Sequence, residues 1–282
     1  MTVPLTLLYV PGDREDRIVK AFAAGADVVI VDLEDAVTAD RKALSRQGAE
    51  RALRSRAGSG DGAPGCQVRV NAVGTPWSDD DLEMVRRLPA PVGLRIPKCE
   101  NPREVVRIAD AVGDRPLHLL IESARGVEAA YALASAHPAV ASIGLGEADL
   151  RADLGVTDDA GLLWARSRVV VAAAAAGLVA PAMSVHTNVR DLDGLRESSL
   201  VGKALGFVGR AAIHPAQLSA IRDVFTPTEE ELDLARELVS AAEAGAAAGQ
   251  GAVALADGRF VDEAVVRQAR RVIARGATES QA

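Results

Sequence analysis

Short, continuous runs of apolar residues alternate with longer amphipathic stretches along most of this chain. Runs rich in Val, Ile and Leu are typical of strands buried on both faces of a parallel sheet, whereas apolar residues spaced three and four apart indicate helices. The predicted strands are Leu5–Val10, Val28–Asp32, Gln67–Asn71, Val92–Pro97, Leu117–Ile121, Val140–Leu145, Ala180–Val185 and Phe207–Ile213. The predicted helices are Asp13–Ala24, Ala39–Arg56, Asp79–Arg87, Asn101–Val112, Val127–Ala136, Leu162–Ala176, Asp193–Leu205 and Gln217–Phe225.

This alternation predicts an α/β fold, a (β/α)8 TIM barrel, over residues 1–226. The rival architecture is an open, doubly wound sheet, which usually carries a glycine-rich phosphate loop after its first strand. Here Pro11, Gly12 and Asp13 follow the first strand, and the GxGxxG pattern is missing from that position. We therefore expect the barrel.

Residues 227–282 leave the strand–helix repeat and predict a C-terminal helical and hairpin extension. Thr228 and Glu231 have the spacing of a capping box at the start of a helix. The further elements expected are a helix to Ala247, a short strand Ala252–Ala256, a turn and a final helix Asp262–Arg275. Such a tail cannot bury its apolar face alone, so we expect it to pack on the barrel or on a neighbouring subunit.

Nearly every predicted strand is followed by polar side chains. These residues are Asp32, Glu34, Asp35, Arg69, Asn71, Lys98, Glu122, Glu147, Asp149, His186 and His214. The carboxyl ends of barrel strands meet at one face, where active sites of this fold lie. The β-α-β unit in Leu117–Gly155 should bring Glu122 and Asp149 to the same mouth, where their negative charges repel unless a cation or proton relieves them.

The residue types at these strand ends favour a magnesium site. Hard oxygen ligands without cysteine or clustered histidine favour Mg²⁺ or Mn²⁺ over Zn²⁺, and Mg²⁺ commonly takes one or two protein carboxylates and keeps waters. Glu122 and Asp149 would supply such a half-shell. Arg69 can grip a planar carboxylate or stabilise an enolate oxygen. The set fits a 2-keto acid whose carbonyl is polarised for carbon–carbon bond making or breaking.

Composition and charge narrow the range of partners. The chain has 282 residues, of which 49% are hydrophobic and 25% charged, as in a soluble globular protein. A net charge of -7 argues against non-specific binding to nucleic acid or an anionic membrane. The sequence shows neither a secretory signal nor a membrane-spanning run, and its two cysteines form no framework. We expect a cytoplasmic protein with a small-molecule substrate.

Three basic residues lie on one flank of the first predicted helix, at Arg14, Arg17 and Lys20. One interpretation is a solvated face with Glu–Arg pairs. The other is a grip on a phosphorylated handle such as coenzyme A. The sequence leaves both interpretations open.

Eight motifs in order resemble a known family. They are YVPGDREDR, VVIVDLEDAV, VRVN, LRIPKCE, LIESARG, GEADLRADLG, AAIHPAQ and GRFVDEA. The chain thereby resembles the citrate lyase β-subunit-like (CitE-like) group of the HpcH/HpaI aldolase/citrate lyase superfamily, which includes malyl-CoA, citramalyl-CoA and citryl lyases. The resemblance implies a Mg²⁺-dependent (β/α)8 lyase that acts on 3-hydroxyacyl thioesters and is commonly a homotrimer.

The resemblance also implies roles for individual residues. The metal ligands fall on Glu122 and Asp149, and the arginine that contacts the substrate carboxylate and enolate falls on Arg69. The family's C-terminal acid, given by one subunit to its neighbour's site, falls on Asp262. The coenzyme A contacts fall near Arg14, Arg17, Lys20 and Lys98, and the residues that support the ligands are Asp32, Glu34, Asp35 and Glu147.

The expected function is a carbon–carbon lyase of the EC 4.1.3 type. It would cleave a thioester such as malyl-, citramalyl- or citryl-CoA into a 2-keto acid and an acyl-CoA, with acyl-CoA thioesterase activity as a variant of the same chemistry. Two alternatives stay open: a class II pyruvate aldolase that acts on free acids, and the β subunit of a citrate lyase complex that acts on an acyl-carrier protein. The sequence does not show which thioester is the substrate.

Overall fold

The computed structural model describes residues 3–56, 63–89, 91–255 and 257–279. It divides into two compact units, one of residues 4–225 and one that begins at Thr226 and also takes in the first three residues. The glycine-rich composition of Ala57–Gly65 predicts a surface loop, most of which lies outside the described ranges. Ala256, the last residue of the predicted strand Ala252–Ala256, also lies outside them.

Eight parallel strands form the centre of the first unit. They are β1 (Thr6–Pro11), β2 (Val28–Asp32), β3 (Gly65–Arg69), β4 (Gly93–Ile96), β5 (Leu117–Ile121), β6 (Val140–Leu145), β7 (Ala182–Met183) and β8 (Gly209–Ala212). Hydrogen bonding runs in the order β6-β5-β4-β3-β2-β1-β8-β7. At the remaining seam, a Cβ atom on Gly144 of β6 would lie 3.8 Å from the carbonyl oxygen of Ala182 on β7. The sheet is therefore a nearly closed barrel, and the predicted (β/α)8 fold is confirmed.

Helices connect the strands around the outside of the barrel. They are α1 (Glu15–Phe22), α2 (Lys42–Arg54), α3 (Ser78–Arg87), α4 (Pro102–Val112), α5 (Ala124–Glu128), α6 (Ala130–Ala134), α7 (Glu147–Leu154), α8 (Leu163–Ala175), α9 (Leu192–Leu205) and α10 (Leu218–Phe225). Across the described ranges, no helix has both the length and the apolar character that a membrane span requires.

Two features of the helices differ from the prediction. The single helix expected over Val127–Ala136 is two short helices, because the backbone leaves helical geometry at Ala129 (φ -83°, ψ 1°). The segment after β6 is also helical: Glu147 and Asp149 lie in the first turn of α7. Carboxylates are favoured there because the helix dipole is positive at its N-terminus.

Side chains alternate between two apolar layers along the strands. One layer packs between the strands and the helices and includes Val31, Leu94 and Ile121. The other lines the inside of the barrel and includes Ile30 of β2, with Tyr9 of β1 packed against it. Because alternate residues share a face, Asp32 points to the same side as Ile30. In the strand register Asp32 lies opposite Arg69, and Arg69 lies opposite Arg95.

The second unit is a helical pair with a short hairpin. Its elements are α11 (Glu229–Ala247), β9 (Val253–Ala254), β10 (Phe260–Val261) and α12 (Glu263–Glu279). The predicted capping box is confirmed, because Thr228 Oγ1 accepts the Glu231 N–H while the Glu231 carboxylate accepts the Thr228 N–H. Leu232 fills the space that Gly276 leaves between α11 and α12. The expectation that this unit packs on the barrel or on a neighbouring subunit stays a prediction.

Candidate active site

Asp32 and Arg69 form a buried, bidentate ion pair at the ends of β2 and β3. Arg69 Nε donates to Asp32 Oδ1 at 2.7 Å, and Arg69 Nη2 donates to Asp32 Oδ2 at 2.6 Å. The same carboxylate accepts the backbone N–H groups of Glu34 and Ala36. One carboxylate therefore fixes both the arginine and the start of the loop after β2.

Arg69 is surrounded by further negative charge. Its Nη1 lies 3.0 Å from Glu34 Oε2 and 3.2 Å from Asp35 Oδ2. The guanidinium carbon lies 5.0 Å from the centre of the Tyr9 ring. Burial by itself would lower the pKa of Arg69, but the hydrogen bonds and charge of Asp32 raise it above its usual value. Arg69 is thus a fixed, permanently charged group at the strand ends.

Lys98 connects three carboxylates that follow different strands. Its Nζ donates to Glu34 Oε1 at 2.7 Å and lies 3.6 Å from Asp149 Oδ2, and its backbone N–H donates to Glu122 Oε2 at 3.0 Å. Lys98 has a φ of 53°, which is uncommon for a residue with a side chain. This backbone geometry aims the N–H at Glu122. We call Glu34, Glu122 and Asp149 the carboxylate cluster.

Glu122 is the most deeply held member of the carboxylate cluster. It is 5% exposed, and a Cβ on Gly146 would lie 2.2 Å from its Oε1 atom, so the carboxylate occupies space that only glycine leaves free. Burial, together with the charges of Glu34 and Asp149, raises the pKa of Glu122 to about 7 against the opposing charges of Lys98 and Arg69. The charged form of Glu122 is therefore disfavoured in this buried, carboxylate-rich environment.

Asp149 forms the open side of the cluster, because 47% of its side chain is exposed. Within the described ranges, no three His, Cys, Asp or Glu side chains are already arranged to hold a metal ion. The donor set nevertheless fits Mg²⁺. It consists of carboxylate oxygens. Burial and then the negative charge of Glu34 raise the pKa of Glu122, and Glu34 Oε2 is buried without a hydrogen bond of acceptable geometry.

Glu147 was predicted to support the metal ligands, and its carboxylate pairs with Arg166. Its carboxylate accepts two hydrogen bonds from Arg166 on α8, at 2.8 and 2.7 Å, and Arg166 also contacts Asp159. Arg166 is 3% exposed. This buried pair joins the start of α7 to α8, and so positions the helix that carries Asp149.

Two supporting contacts could not be read from the sequence. Lys42 is buried, and its Nζ donates to the carbonyl oxygens of Leu33 and Glu34 at 2.8 and 2.7 Å. Asp81 of α3 accepts both the backbone and side-chain N–H groups of Asn71. Lys42 lies in a charged helix pattern that gives no signal of burial. Asn71, which was placed at a strand end, has a structural role in the loop after β3.

The other predicted residues lie apart from these contacts. Arg14 pairs with Asp16, whereas Arg17 and Lys20 are exposed and have no ion pair or side-chain hydrogen bond with the described residues. His186 Nε2 lies 3.6 Å from Asp191 Oδ2, and His214 caps the turn that precedes α10. The coenzyme A role of the basic flank stays a prediction.

Asp262 belongs to the second unit and caps its last helix. Its Oδ1 accepts the backbone N–H groups of Ala264 and Val265, both at 3.0 Å. In the described residues its Oδ2 atom makes no hydrogen bond. The cap is compatible with the acid role that the resemblance implies, which stays a prediction.

A cavity of about 600 Å³ opens beside Lys98. Its apolar lining includes Val73, Ile96 and Ile108, and its polar lining includes Glu100 and Arg125. The cavity borders the carboxylate cluster through Lys98. It is large enough for a flexible, mostly apolar arm of a substrate.

Comparison with known proteins identifies the family. A family model described as HpcH/HpaI aldolase/citrate lyase matches residues 5–215. The chain belongs to this family. The HpcH/HpaI family is one of aldolases and lyases, and this member falls in its citrate lyase β-subunit-like group, so the resemblance seen in the motifs is confirmed.

Two curated relatives and one solved structure align over nearly the whole chain. The (3S)-malyl-CoA thioesterase of Cereibacter sphaeroides is 35% identical and covers 96% of this chain and 93% of its own. The citrate lyase subunit beta-like protein of Deinococcus radiodurans is 36% identical and covers 95% of both. The crystal structure of CitE from Mycobacterium tuberculosis in complex with magnesium, acetoacetate and coenzyme A has a TM-score of 0.80 and 30% identity, and covers 97% of this chain and 98% of its own. The predicted magnesium cofactor agrees with that complex.

Proposed function

We propose that this protein is a Mg²⁺-dependent carbon–carbon lyase that cleaves a 3-hydroxyacyl-coenzyme A thioester into a 2-keto acid and an acyl-CoA. The observation that carries the proposal is the convergence of Glu34, Glu122 and Asp149 with Arg69 at the carboxyl ends of neighbouring barrel strands. The relatives named for malyl-CoA and citrate lyase, and the neighbour crystallised with magnesium and coenzyme A, support it.

The chain's own groups suit this chemistry. Glu122 and Asp149 would hold the ion, and Mg²⁺ bound there would supply a Lewis acid for the oxygens of the 2-keto-acid half. Arg69 provides a positive charge for the oxyanion that develops on the thioester as the carbon–carbon bond breaks. Because Asp32 already holds the guanidinium, this charge needs no reorganisation during the reaction.

The remaining roles concern the proton and the coenzyme. We assign to Asp262 of a neighbouring subunit the protonation of the enolate carbon, since its motif GRFVDEA matches the family's C-terminal acid and its Oδ2 is left unbonded in the described residues. The cavity beside Lys98 would accept the thioester arm. The exposed cations Arg17 and Lys20 would contact its phosphates.

Thioester hydrolysis is the second candidate, because a relative that covers 96% of this chain is named a malyl-CoA thioesterase. The deciding experiment incubates the purified protein and Mg²⁺ with malyl-, citramalyl- and citryl-CoA and, separately, with a free hydroxy-keto acid that would release pyruvate. The 2-keto acid and the free CoA thiol are measured separately.

Each outcome of this assay assigns one activity. Lyase activity releases keto acid while the acyl-CoA stays intact. Direct thioester hydrolysis releases free thiol and the hydroxy acid without keto acid, and hydrolysis that follows carbon–carbon cleavage releases both keto acid and free thiol. Cleavage of free hydroxy-keto acids alone would indicate the pyruvate aldolase instead. A protein that cleaves none of the thioesters with Mg²⁺ present would contradict the proposal.

A further inference from the structure

Arg95 is a second arginine inside the barrel, next to Arg69. It lies between Leu94 and Ile96 on β4, both of which pack in the outer layer, so its side chain points inward. Its strand neighbour in register is Arg69 on β3. Arg95 is only 7% exposed, and its Nε donates to Gln67 Oε1 at 2.9 Å.

Arg95 lacks the negative partner that a buried cation normally has. Among the described residues the Arg95 side chain has one hydrogen-bond partner, the neutral Gln67, and it forms no ion pair. Burying a charge without a counter-charge is costly. A guanidinium with N–H groups that have no protein partner can donate two parallel hydrogen bonds to a carboxylate. By contrast, Arg69 is paired with Asp32 and has two more carboxylates within 3.2 Å.

A second buried arginine, Arg210, illustrates how several neutral hydrogen-bond acceptors can satisfy a guanidinium that has only a structural role. Arg210 of β8 is 4% exposed and also has no carboxylate partner in the described ranges. It donates to the hydroxyl groups of Ser198 and Ser199 and to the carbonyl oxygen of Ser184. Neutral acceptors thus surround the Arg210 guanidinium, whereas Arg95 has one.

Tyr9 connects the space around Arg95 to the carboxylate cluster. Its hydroxyl makes no hydrogen bond with the described residues, and its ring lies against Arg69. Burial raises the pKa of Tyr9, and the charges that oppose this most are Arg95 and then Arg69, while Asp32 and Glu122 also act on it. Tyr9 packs in the inner layer beside Arg69, and Arg69 is the in-register neighbour of the inward-pointing Arg95, so the three side chains lie inside the barrel.

We propose that Arg95, with the Tyr9 hydroxyl as a second donor, binds a carboxylate of the substrate in addition to the one at the carboxylate cluster. The substrate would then be a thioester whose 2-keto-acid half is a dicarboxylate, as in a citryl thioester, which yields oxaloacetate. This inference rests on the proposed function and names the substrate class for it. It makes Arg95 a residue that determines specificity.

Two thioesters test the inference because they differ by one carboxylate. Citryl-CoA carries a carboxymethyl group where citramalyl-CoA carries a methyl group. We expect the wild-type protein to have a kcat/KM at least about 10-fold higher for citryl-CoA. In Arg95→Met this ratio should fall roughly 10²-fold, mostly through a higher KM for citryl-CoA, since a hydrogen-bonded charge pair of this kind is typically worth one to two powers of ten. Arg95→Lys should restore part of the ratio.

Arg210→Met is the matched control, because it also removes a buried arginine that lacks a carboxylate partner in the described residues. Its ratio should equal that of the wild type. A wild-type protein that cleaves both thioesters equally well, or an unchanged ratio in Arg95→Met, would overturn the inference while leaving the proposed lyase intact.

A binding measurement on the wild type covers the remaining cases. If Arg95→Met does not fold, or if no thioester is cleaved, calorimetry with Mg²⁺ compares oxaloacetate with pyruvate as ligands. Tighter binding of oxaloacetate by about 10-fold or more supports the second carboxylate site. Equal binding rejects it. Failure of the lyase proposal is recognised separately, by the absence of cleavage.

Discussion

Replacement of Gly146 by alanine should disable the site by a single methyl group. The added Cβ would lie 2.2 Å from Glu122 Oε1 and 2.4 Å from Glu122 Cγ, about 1.2 Å closer than the 3.4 Å at which ordinary contacts begin. The backbone of Gly146, with φ -99° and ψ 86°, has a negative φ as side-chain-bearing residues require, so the clash with Glu122 is the main cost. The carboxylate must therefore move by roughly an ångström.

A displacement of this size has a predictable cost. Misplacing a catalytic group by about 1 Å commonly lowers the rate roughly 10²-fold, and overpacking a buried site costs about 1–3 kcal/mol of stability. We expect Gly146→Ala to weaken Mg²⁺ binding, measured by calorimetry, and to lower kcat/KM by about 10²-fold. The protein should still unfold cooperatively.

Gly144→Ala is the matched control, two residues earlier on β6. Its Cβ would meet the nearest atoms at 3.8 and 3.9 Å, which are ordinary contacts. We expect its Mg²⁺ affinity and turnover to stay within about threefold of the wild type. If Gly146→Ala bound Mg²⁺ and turned over substrate like Gly144→Ala, Glu122 would not be the ligand we assign.

Three further predictions concern the proton donor Asp262, the buried Glu147–Arg166 pair and the partly buried His118. Asp262→Asn keeps the oxygen that caps α12, so the stability of the protein should change little. Its kcat should fall about 10²–10⁴-fold because the proton donor is lost. An unchanged kcat would show that Asp262 is not the proton donor. Glu147→Gln should lower the free energy of unfolding by roughly 2–3 kcal/mol, because Arg166 keeps only Asp159 as a charged partner; a denaturant titration that shows no loss would contradict this. Burial, followed by the charge of Arg95, lowers the pKa of His118 to about 3, so below about pH 6.5 the unfolded chain binds a proton that the folded chain does not. Stability should therefore fall with pH from about 6.5 down to 4, by up to about 1.4 kcal/mol per pH unit from this group, and His118→Gln should flatten that slope; parallel wild-type and variant curves would argue against it.

The fold could be predicted because its signals are local. Continuous apolar runs such as Val28–Asp32 and Leu117–Ile121 are strands with the predicted bounds, since a strand buried on both faces must be apolar throughout. The polar residues that end these runs lie at the barrel mouth because parallel strands point the same way. The capping box at Thr228 was likewise visible, as its two partners are three residues apart.

The details of the site depend on contacts between distant residues, which no local pattern encodes. Lys98 could be placed at a strand end, but its contact with Glu34, 64 positions away, requires both side chains to turn toward each other. Arg95 lies inside an apolar strand motif, LRIP, and only the barrel register places it beside Arg69. Neither residue type nor spacing shows that Arg69 has carboxylate partners while Arg95 has none among the described residues.

We assign to Asp149 and Glu122 a magnesium site for thioester cleavage. The most direct measurement is the Mg²⁺-dependent release of 2-keto acid from the preferred thioester by the wild type and by Asp149→Ala. Because 47% of the Asp149 side chain is exposed, the variant should fold normally, as checked by circular dichroism. We predict that its Mg²⁺-dependent turnover falls at least about 10²-fold. A folded Asp149→Ala variant with wild-type turnover would contradict the assignment.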